Sequence, residues 1–269
     1  MKCLKRLIVK FGTENLFGGN KHLSQEIFSD YARQIVSLHE HGTEIIIVSS
    51  GAIVAGRERL KVLHKDDASF SKKELASIGT RHLCNMWGDA FEIYGIDVAL
   101  ILVTYANWKD KKERQSIKKS IIGCCGKGIV PVVNENDVVS DEEILLMEKG
   151  FSENDRLARM TGVLVRADGV LFLTNVLGIY ESDPKHDPKA KRFAEIDHKG
   201  IQEHKVFMSS SRSANGRGGI GAKVREAVVY KRKLLDADVV IAGNEENVIV
   251  RFAEGDSVGT RIGFVTKIA

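Results

Sequence analysis

The amino-acid sequence predicts an α/β protein, a three-layer α/β/α sandwich around one mostly parallel sheet. Three observations indicate this class: apolar runs of strand length recur along the chain, amphipathic stretches of helix length separate them, and the two kinds of segment alternate. Because parallel strands need long crossover connections, which are usually helical, the alternation indicates helices on both faces of the sheet.

Six apolar runs are the candidate strands. In chain order they are residues 7–9, 45–48, 98–103, 129–133, 170–173 and 239–242. The runs are continuous rather than alternating with polar residues, which is typical of strands that are buried on both faces.

The candidate helices carry apolar residues at three- and four-residue spacing, the pattern of a helix with one buried face. They are residues 23–41, 72–94, 154–166 and 223–236. Residues 108–119 form the densest basic stretch, but its interspersed acidic residues are typical of a solvated helix face rather than of a nucleic-acid groove. Residues 181–217, rich in Asp-Pro, Lys, His and Ser, predict a hairpin or an irregular excursion within the same sheet.

Composition and charge exclude several classes of protein. The chain has 269 residues, 43% of them hydrophobic, and a net charge of +4 that is too small to indicate a nucleic-acid binder. Its Cys and His residues lack zinc-site spacing, its start lacks the apolar core of a signal peptide, and no window has the ~18 to 20 apolar residues of a membrane helix. We expect one globular domain in the cytoplasm, with no membrane or nucleic-acid partner.

Polar residues and glycines follow four of the candidate strands directly. These segments are residues 10–13, 49–53, 134–137 and 174–175. In open parallel sheets the ligand site lies beyond the carboxyl ends of the strands, so the four segments are expected to meet at one site.

A glycine cluster, residues 215–223, precedes the last candidate helix. Glycines and a free helix N-terminus suit a bound phosphate. The cluster contains the dinucleotide spacing Gly216, Gly218, Gly221, but no buried strand precedes it, and the chain has no complete Walker A motif. We interpret the cluster as a phosphate-binding loop of another kind, with a merely flexible loop as the alternative.

Two lysines are candidates to bind the same anion. Lys10 ends the first candidate strand, and Lys223 stands at a helix start, where the helix dipole disfavours a cation unless an anion is bound nearby. With Asp155 to orient them, they would form a phosphoryl clamp. The alternative for Lys10 is a charge at the strand edge.

The two remaining polar segments are candidates to bind an amino acid. Residues 49–52 either cap a helix or donate hydrogen bonds to a carboxylate or phosphate. Residues 134–137, Asn-Glu-Asn-Asp, hold more hydrogen-bonding groups than a cap requires. Asp137 could receive a substrate ammonium, and the asparagines could hold its carboxylate.

These motifs, taken in order along nearly the whole chain, resemble the amino acid kinase family. Two segments, Ser-Gly-Ala-Ile at residues 50–53 and Asn-Glu-Asn-Asp at residues 134–137, are similar to those of members that phosphorylate glutamate. The full set is Ile8-Val-Lys-Phe-Gly-Thr13, Ile47-Val-Ser-Ser-Gly-Ala-Ile53, Ala55-Gly-Arg57, Tyr94-Gly-Ile96, Ile129-Val-Pro-Val-Val-Asn-Glu-Asn-Asp137, Asn154-Asp155-x-Leu157, Leu173-Thr174, Gly178-Ile-Tyr180, Asp183-Pro184, Gly218-Gly219-Ile220 with Lys223, and Ser257-Val-Gly-Thr260.

The resemblance implies an amino acid kinase fold over residues 1–269, with a glutamate-binding lobe at about residues 1–168 and a nucleotide-binding lobe at about residues 169–269. It implies ATP-dependent phosphorylation of the L-glutamate γ-carboxylate, the first step of proline biosynthesis. The implied catalytic residues are Lys10, Lys223 and Asp155. The implied glutamate contacts are Ser50, Gly51, Asn134, Asp137 and Asn154. The implied nucleotide contacts are Lys10, Thr174, Asn175, Tyr180, Arg217, Gly218, Gly219, Ile220, Gly221 and Lys223.

It further implies Mg²⁺ held by the ATP phosphates rather than by protein ligands, feedback inhibition by proline, and a homodimer or homotetramer. Many members carry an additional carboxy-terminal PUA domain, which we do not expect here. The chain departs from the family pattern at Glu14, Thr80, Glu153, Asn175 and Arg217. The alternatives are another kinase of the family, acting on acetylglutamate, aspartate, carbamate or UMP, and a ligand sensor without turnover on the same fold.

Overall fold

The centre of the protein is one twisted sheet. A computed structural model describes residues 4–18, 22–139, 153–184, 186–203, 219–264 and 267–268. The strands within those ranges are β1 (Arg6–Phe11), β2 (Glu44–Ser49), β3 (Val98–Val103), β4 (Val130–Glu135), β5 (Gly169–Leu173), β6 (Phe193–Ile196), β7 (Asp238–Ala242), β8 (Thr260–Ile262) and β9 (Lys267–Ile268).

The strand order is β3-β4-β2-β1-β5-β7-β8-β6-β9. All neighbours from β3 to β7 are parallel, and β8 is antiparallel to β7. The six predicted strands are therefore confirmed, although β4 extends two residues further than predicted, to Glu135. Residues 181–217 were predicted as a hairpin or irregular excursion, and they contain β6, which joins the sheet beside β8.

Helices cover both faces of the sheet, as the sequence predicts. They are α1 (Gln25–Glu40), α2 (Ala52–Val62), α3 (Lys72–Glu92), α4 (Tyr105–Lys109), α5 (Lys111–Cys125), α6 (Glu153–Val165), α7 (His198–Glu203), α8 (Ile220–Lys233) and α9 (Val248–Glu254). Most of α5 is exposed, which confirms that the basic stretch is a solvated helix face. Among the described residues, none of the helices combines the length and apolar character needed to span a bilayer.

The alternation of side chains along β1 decides which face Lys10 joins. Leu7, Val9 and Phe11 belong to the hydrophobic core under α1, α3 and α9. Ile8 belongs to the second core, on the opposite face, which includes apolar residues of α6 and α8. Lys10 shares the parity of Ile8, and its side chain therefore lies on the side of α6 and α8.

Two glycines let α2 and α3 pack at very short range. A Cβ on Gly79 would lie 1.8 Å from the Ala52 carbonyl oxygen, and a Cβ on Gly56 would lie 2.0 Å from the Leu75 carbonyl oxygen. No real Cβ tolerates such distances, so both positions require glycine. This packing fixes α2, whose first turn follows the polar segment at the end of β2.

Candidate active site

The carboxyl ends of the central strands form one edge of the sheet. Parallel registers place Phe11 beside Ser49, Lys10 beside Phe172, and Leu173 beside Ala242. The polar segments after β1, β2, β4 and β5 therefore meet at that edge, as predicted.

Lys10, Asp155 and Lys223 form a buried cluster behind this edge. Lys10 Nζ lies 2.8 Å from Asp155 Oδ1, and Lys223 Nζ lies 3.3 Å from Asp155 Oδ2. The side chains are 3%, 0% and 7% exposed, in that order. The predicted proximity of the three groups is therefore present, and Lys10 is not a solvent-exposed edge charge.

The cluster carries two ammonium groups for one carboxylate. Burial lowers the pKa of Lys10 from its ordinary 10.5 to about 8, and the nearby charge of Lys223 adds to that shift, whereas Asp155 opposes it. At neutral pH the cluster therefore has one excess positive charge in a poorly solvated place. A bound anion would compensate that charge.

Two adjacent helices hold this cluster together. Asp155 is in the first turn of α6, and Lys223 is in the first turn of α8. One turn further along each helix, Arg159 forms an ion pair with Glu226, and both side chains are mostly buried. Residues three and four apart share a helix face, so this pair aligns the same two faces that carry Asp155 and Lys223. Neither Arg159 nor Glu226 was predicted from the sequence, because each is an ordinary residue for a helix surface.

Ser50 and Asn154 meet beside the cluster. The Asn154 side-chain nitrogen donates a hydrogen bond to Ser50 Oγ at 2.9 Å. Asn154 Oδ1 is buried and has no hydrogen-bond partner among the described residues, which leaves one acceptor for a ligand donor. Gly51 follows with φ +117°, a conformation that favours glycine, and it caps α2. Three of the predicted glutamate contacts are thus brought together.

The other two predicted glutamate contacts lie at the end of β4, which neighbours β2. Asn134 is buried and is the second-last residue of β4. Its Oδ1 accepts a hydrogen bond from the Glu135 amide at 2.9 Å. Asp137 is half-buried, two residues beyond the strand. The strand order puts both next to the end of β2 that carries Ser50.

Thr174, Asn175 and Tyr180 follow β5, on the other side of β1. Thr174 is buried, Asn175 is exposed, and Tyr180 is half-buried where it bridges to Arg192. The Asn175 side-chain nitrogen donates to Glu14 Oε2 at 2.9 Å, so two residues that depart from the family pattern contact each other.

The described part of the glycine cluster, residues 219–223, opens α8, and the helix begins earlier than predicted, at Ile220, with Gly219 as its N-cap. Gly221 and Lys223 are buried in the first turn, and Ile220 is half-buried. Arg217 and Gly218 lie outside the described residues, as do Gly216 and Ser152. The main chain of Glu153 is within α6, and its side chain is not described.

Comparisons with known proteins agree with this architecture. The sequence profile of the amino acid kinase family matches residues 5–242. Glutamate 5-kinase of Photorhabdus laumondii is 36% identical over 261 residues, which are 97% of this chain and 69% of that protein. Glutamate 5-kinase of Herpetosiphon aurantiacus is 35% identical over 256 residues, covering 95% of this chain and 67% of that protein.

Solved structures of two further kinases share the fold. UMP kinase of Bacillus anthracis superimposes with a TM-score of 0.65 at 16% identity, over 99% of both chains. Carbamate kinase of Giardia lamblia, bound to AMP-PNP, superimposes with a TM-score of 0.66 at 14% identity, over 97% of this chain and 99% of that one. At these identities the likeness extends to the fold alone.

Proposed function

The chain belongs to the amino acid kinase family and, within it, to the glutamate 5-kinases, and from that premise we propose that it transfers the γ-phosphoryl group of ATP to the γ-carboxylate of L-glutamate. The products are γ-glutamyl phosphate and ADP, at the first step of proline biosynthesis. The protein is thus an ATP-dependent phosphotransferase.

The observation that carries this proposal is the buried pair of ammonium groups on Asp155. Lys10 and Lys223 lie within 3.3 Å of its two oxygens, next to the Ser50 and Asn154 side chains. A transferring phosphoryl group spreads negative charge over its oxygens, and fixed cations in a poorly solvated site stabilise that charge strongly. The cluster supplies these cations at the sheet edge where both substrates would meet.

The reaction requires no general base. A glutamate γ-carboxylate is already ionised at neutral pH, so it attacks as the anion. What the protein must do is align the attacking oxygen, the phosphorus and the leaving oxygen, and neutralise charge on the group in transfer. Lys10 and Lys223 perform the second task, and Asp155 orients their ammonium groups.

We assign the two halves of the chain to the two substrates. Ser50, Gly51 and Asn154 support a glutamate site in residues 1–168, where Asn154 Oδ1 is available to the substrate ammonium. Asn134 and Asp137 would complete that site. The second half, residues 169–269, would bind ATP through Thr174, Asn175, Tyr180 and the glycine segment 217–223.

Mg²⁺ would enter this site with ATP. Among the described residues, no group of three His, Cys, Asp or Glu side chains could hold a metal ion. Mg²⁺ at nucleotide sites is bound largely by phosphate oxygens and water, so the residues present are compatible with it. When bound, the ion would neutralise part of the phosphate charge. Inhibition by proline, assembly into a homodimer or homotetramer and a cytoplasmic location rest on the family resemblance alone.

The test is an ADP-release assay on the purified chain with Mg-ATP and, in turn, glutamate, acetylglutamate, aspartate, carbamate and UMP. A hydroxamate trap reports the acyl phosphate. We expect turnover with glutamate, accompanied by hydroxamate. Turnover with another acceptor would move the chain to a different activity of the family, and ATP binding without turnover on any acceptor would identify a ligand sensor.

A further inference from the structure

A buried asparagine in the turn after β1 uses its whole side chain to join three strand ends. Asn15 lies in the short helical turn Thr13–Leu16 and is 3% exposed. Its Oδ1 accepts a hydrogen bond from the Gly12 amide at 3.0 Å. Its side-chain nitrogen donates to the Thr174 carbonyl oxygen and to Asn244 Oδ1, both at 2.9 Å.

These bonds fix the backbone directly beneath the Lys10 ammonium. A methyl group at Gly12 would lie 3.7 Å from Lys10 Nζ and 3.0 Å from Asn15 Oδ1. The Lys10 ammonium and the Asn15 side-chain amide therefore both lie close to Gly12. Any rotation of the Gly12 peptide that the Asn15 bond prevents would also change where the ammonium lies.

The same amide connects β1 to the second half of the chain. Thr174 directly follows β5, where we place a nucleotide contact, and Asn244 follows β7. A buried amide costs free energy to desolvate, and an apolar side chain would fill the volume without that cost. The three bonds of Asn15 thus serve geometry rather than simple packing.

We propose that Asn15 is a positioning residue for phosphoryl transfer: it holds the Lys10 ammonium at a fixed place relative to the nucleotide contacts at the end of β5. The inference rests on the proposed function. In this role Asn15 acts through the Gly12 peptide and the Thr174 carbonyl, to which its side chain is bonded.

The experiment compares Asn15→Asp with Gln34→Glu. Both changes replace a buried amide by a carboxylate of the same shape. Gln34 is 1% exposed, accepts from the Ile249 amide at 3.0 Å and donates to Asp30 at 2.8 Å, but it lies between α1 and α9, away from Lys10. Asn15→Leu is the third variant, because it removes the bonds without adding a charge near Lys10.

Steady-state kinetics with Mg-ATP and glutamate, stability in urea, and ATP binding by calorimetry are measured for each protein. We expect all three variants to lose stability. Asn15→Asp and Asn15→Leu should lower kcat by ~10-fold or more and weaken ATP binding, with the KM for glutamate within about twofold, because small misplacements of a charged group cost much of the rate. Gln34→Glu should keep its kcat and its ATP affinity.

Two results would overturn the positioning role: kcat within about twofold of the unsubstituted chain in Asn15→Leu, or an equal loss of kcat in Gln34→Glu, which would assign the effect to general loosening. If the unsubstituted chain fails to phosphorylate glutamate, the proposed function fails instead. The comparison of ATP affinities still decides the role of Asn15 in that case, because equal affinities in all four proteins would contradict it.

Discussion

The Lys10 ammonium lies 2.8 Å from a carboxylate oxygen of Asp155, and neither side chain is more than 3% exposed. The other oxygen of Asp155 receives Lys223 at 3.3 Å. Two like charges this close, in a place with little water, repel strongly unless an opposite charge lies between them. The carboxylate thus makes the folded arrangement possible, and in the reaction we propose it would also aim both ammonium groups at the phosphoryl group.

Loss of either lysine should abolish most of the activity. We expect Lys10→Met and Lys223→Met to lower kcat by ~10² to 10³, since each removes one fixed charge that stabilises the transferring group. The fold should survive, because Asp155 keeps one ammonium partner in each variant. ADP release and far-UV circular dichroism measure the two effects, and near-native turnover in either variant would exclude the clamp.

Loss of the carboxylate should act on stability more than loss of a lysine. Asp155→Asn leaves two ammonium groups buried together without an anion, and breaking a buried charge cluster in this way costs about 3 to 5 kcal/mol. Urea unfolding should show a larger loss for Asp155→Asn than for Lys10→Met. If the order were reversed, Asp155 would not be the group that holds the lysines together. Excess ATP should restore part of the lost stability, because its phosphates supply the missing charge.

The pKa of Lys10 predicts the pH dependence of both activity and stability. Burial holds it at about 8, and the lysine must be protonated to neutralise phosphate, so kcat/KM for ATP should fall as the pH rises through about 8. Between about pH 8 and pH 10.5 the unfolded chain binds more protons at this site than the folded chain, so the contribution of Lys10 to stability increases with pH there.

Lys10→Arg is the control for this pH dependence. A guanidinium does not titrate in this range, so any activity that the variant retains should lack the fall in kcat/KM. An unchanged kcat/KM up to pH 10 in the unsubstituted chain would contradict the assignment.

The central strands and the meeting of Lys10 with Asp155 and Lys223 were predictable from the sequence. Parallel strands that are buried on both faces have continuous apolar sequences, which makes them recognisable. Their carboxyl ends meet at one edge of the sheet whatever the details of the loops. β8 and β9 are three and two residues long, too short to show a period, and were not predicted.

Asn15 was not predictable for a different reason. Its partners Thr174 and Asn244 lie 159 and 229 positions away in the chain, and a single asparagine in a turn carries no signal of what it will contact. The Arg159 and Glu226 pair is similar, because each residue alone is ordinary for a helix surface and only the packing of α6 on α8 makes them partners. Contacts between residues of recognisable motifs, such as Lys10 and Lys223, can be anticipated from a sequence, whereas contacts between residues that belong to no such motif cannot.

Two Gly→Ala changes should have opposite effects on stability, one at the close contact between α2 and α3 and one on the open surface of α5. Gly79→Ala places a methyl group 1.8 Å from the Ala52 carbonyl oxygen, so the helices must separate, and we expect a loss of about 3 kcal/mol or more. Gly123→Ala, in α5, meets no atom within 4 Å and should stabilise the protein by about 0.5 to 1 kcal/mol. Urea unfolding of both variants gives the comparison. Similar stabilities for the two would show that the helix contact is not as close as described.

The hydrogen bond between Asn154 and Ser50 predicts a loss of glutamate affinity without a loss of ATP affinity. Asn154→Ala removes both the donor to Ser50 and the buried Oδ1 that we assign to the substrate ammonium. Hydrogen bonds to charged groups contribute about 1.5 to 3 kcal/mol, so the KM for glutamate should rise by roughly 10- to 100-fold. Ser50→Ala should raise the KM for glutamate less, because it leaves Asn154 Oδ1 in place. The double variant should resemble Asn154→Ala, since the effects of two residues that share one hydrogen bond are not additive. ATP binding by calorimetry is the internal control. A variant that binds ATP more weakly while its KM for glutamate is unchanged would place Asn154 on the nucleotide side of the site and remove the main support for a glutamate site in the first half of the chain.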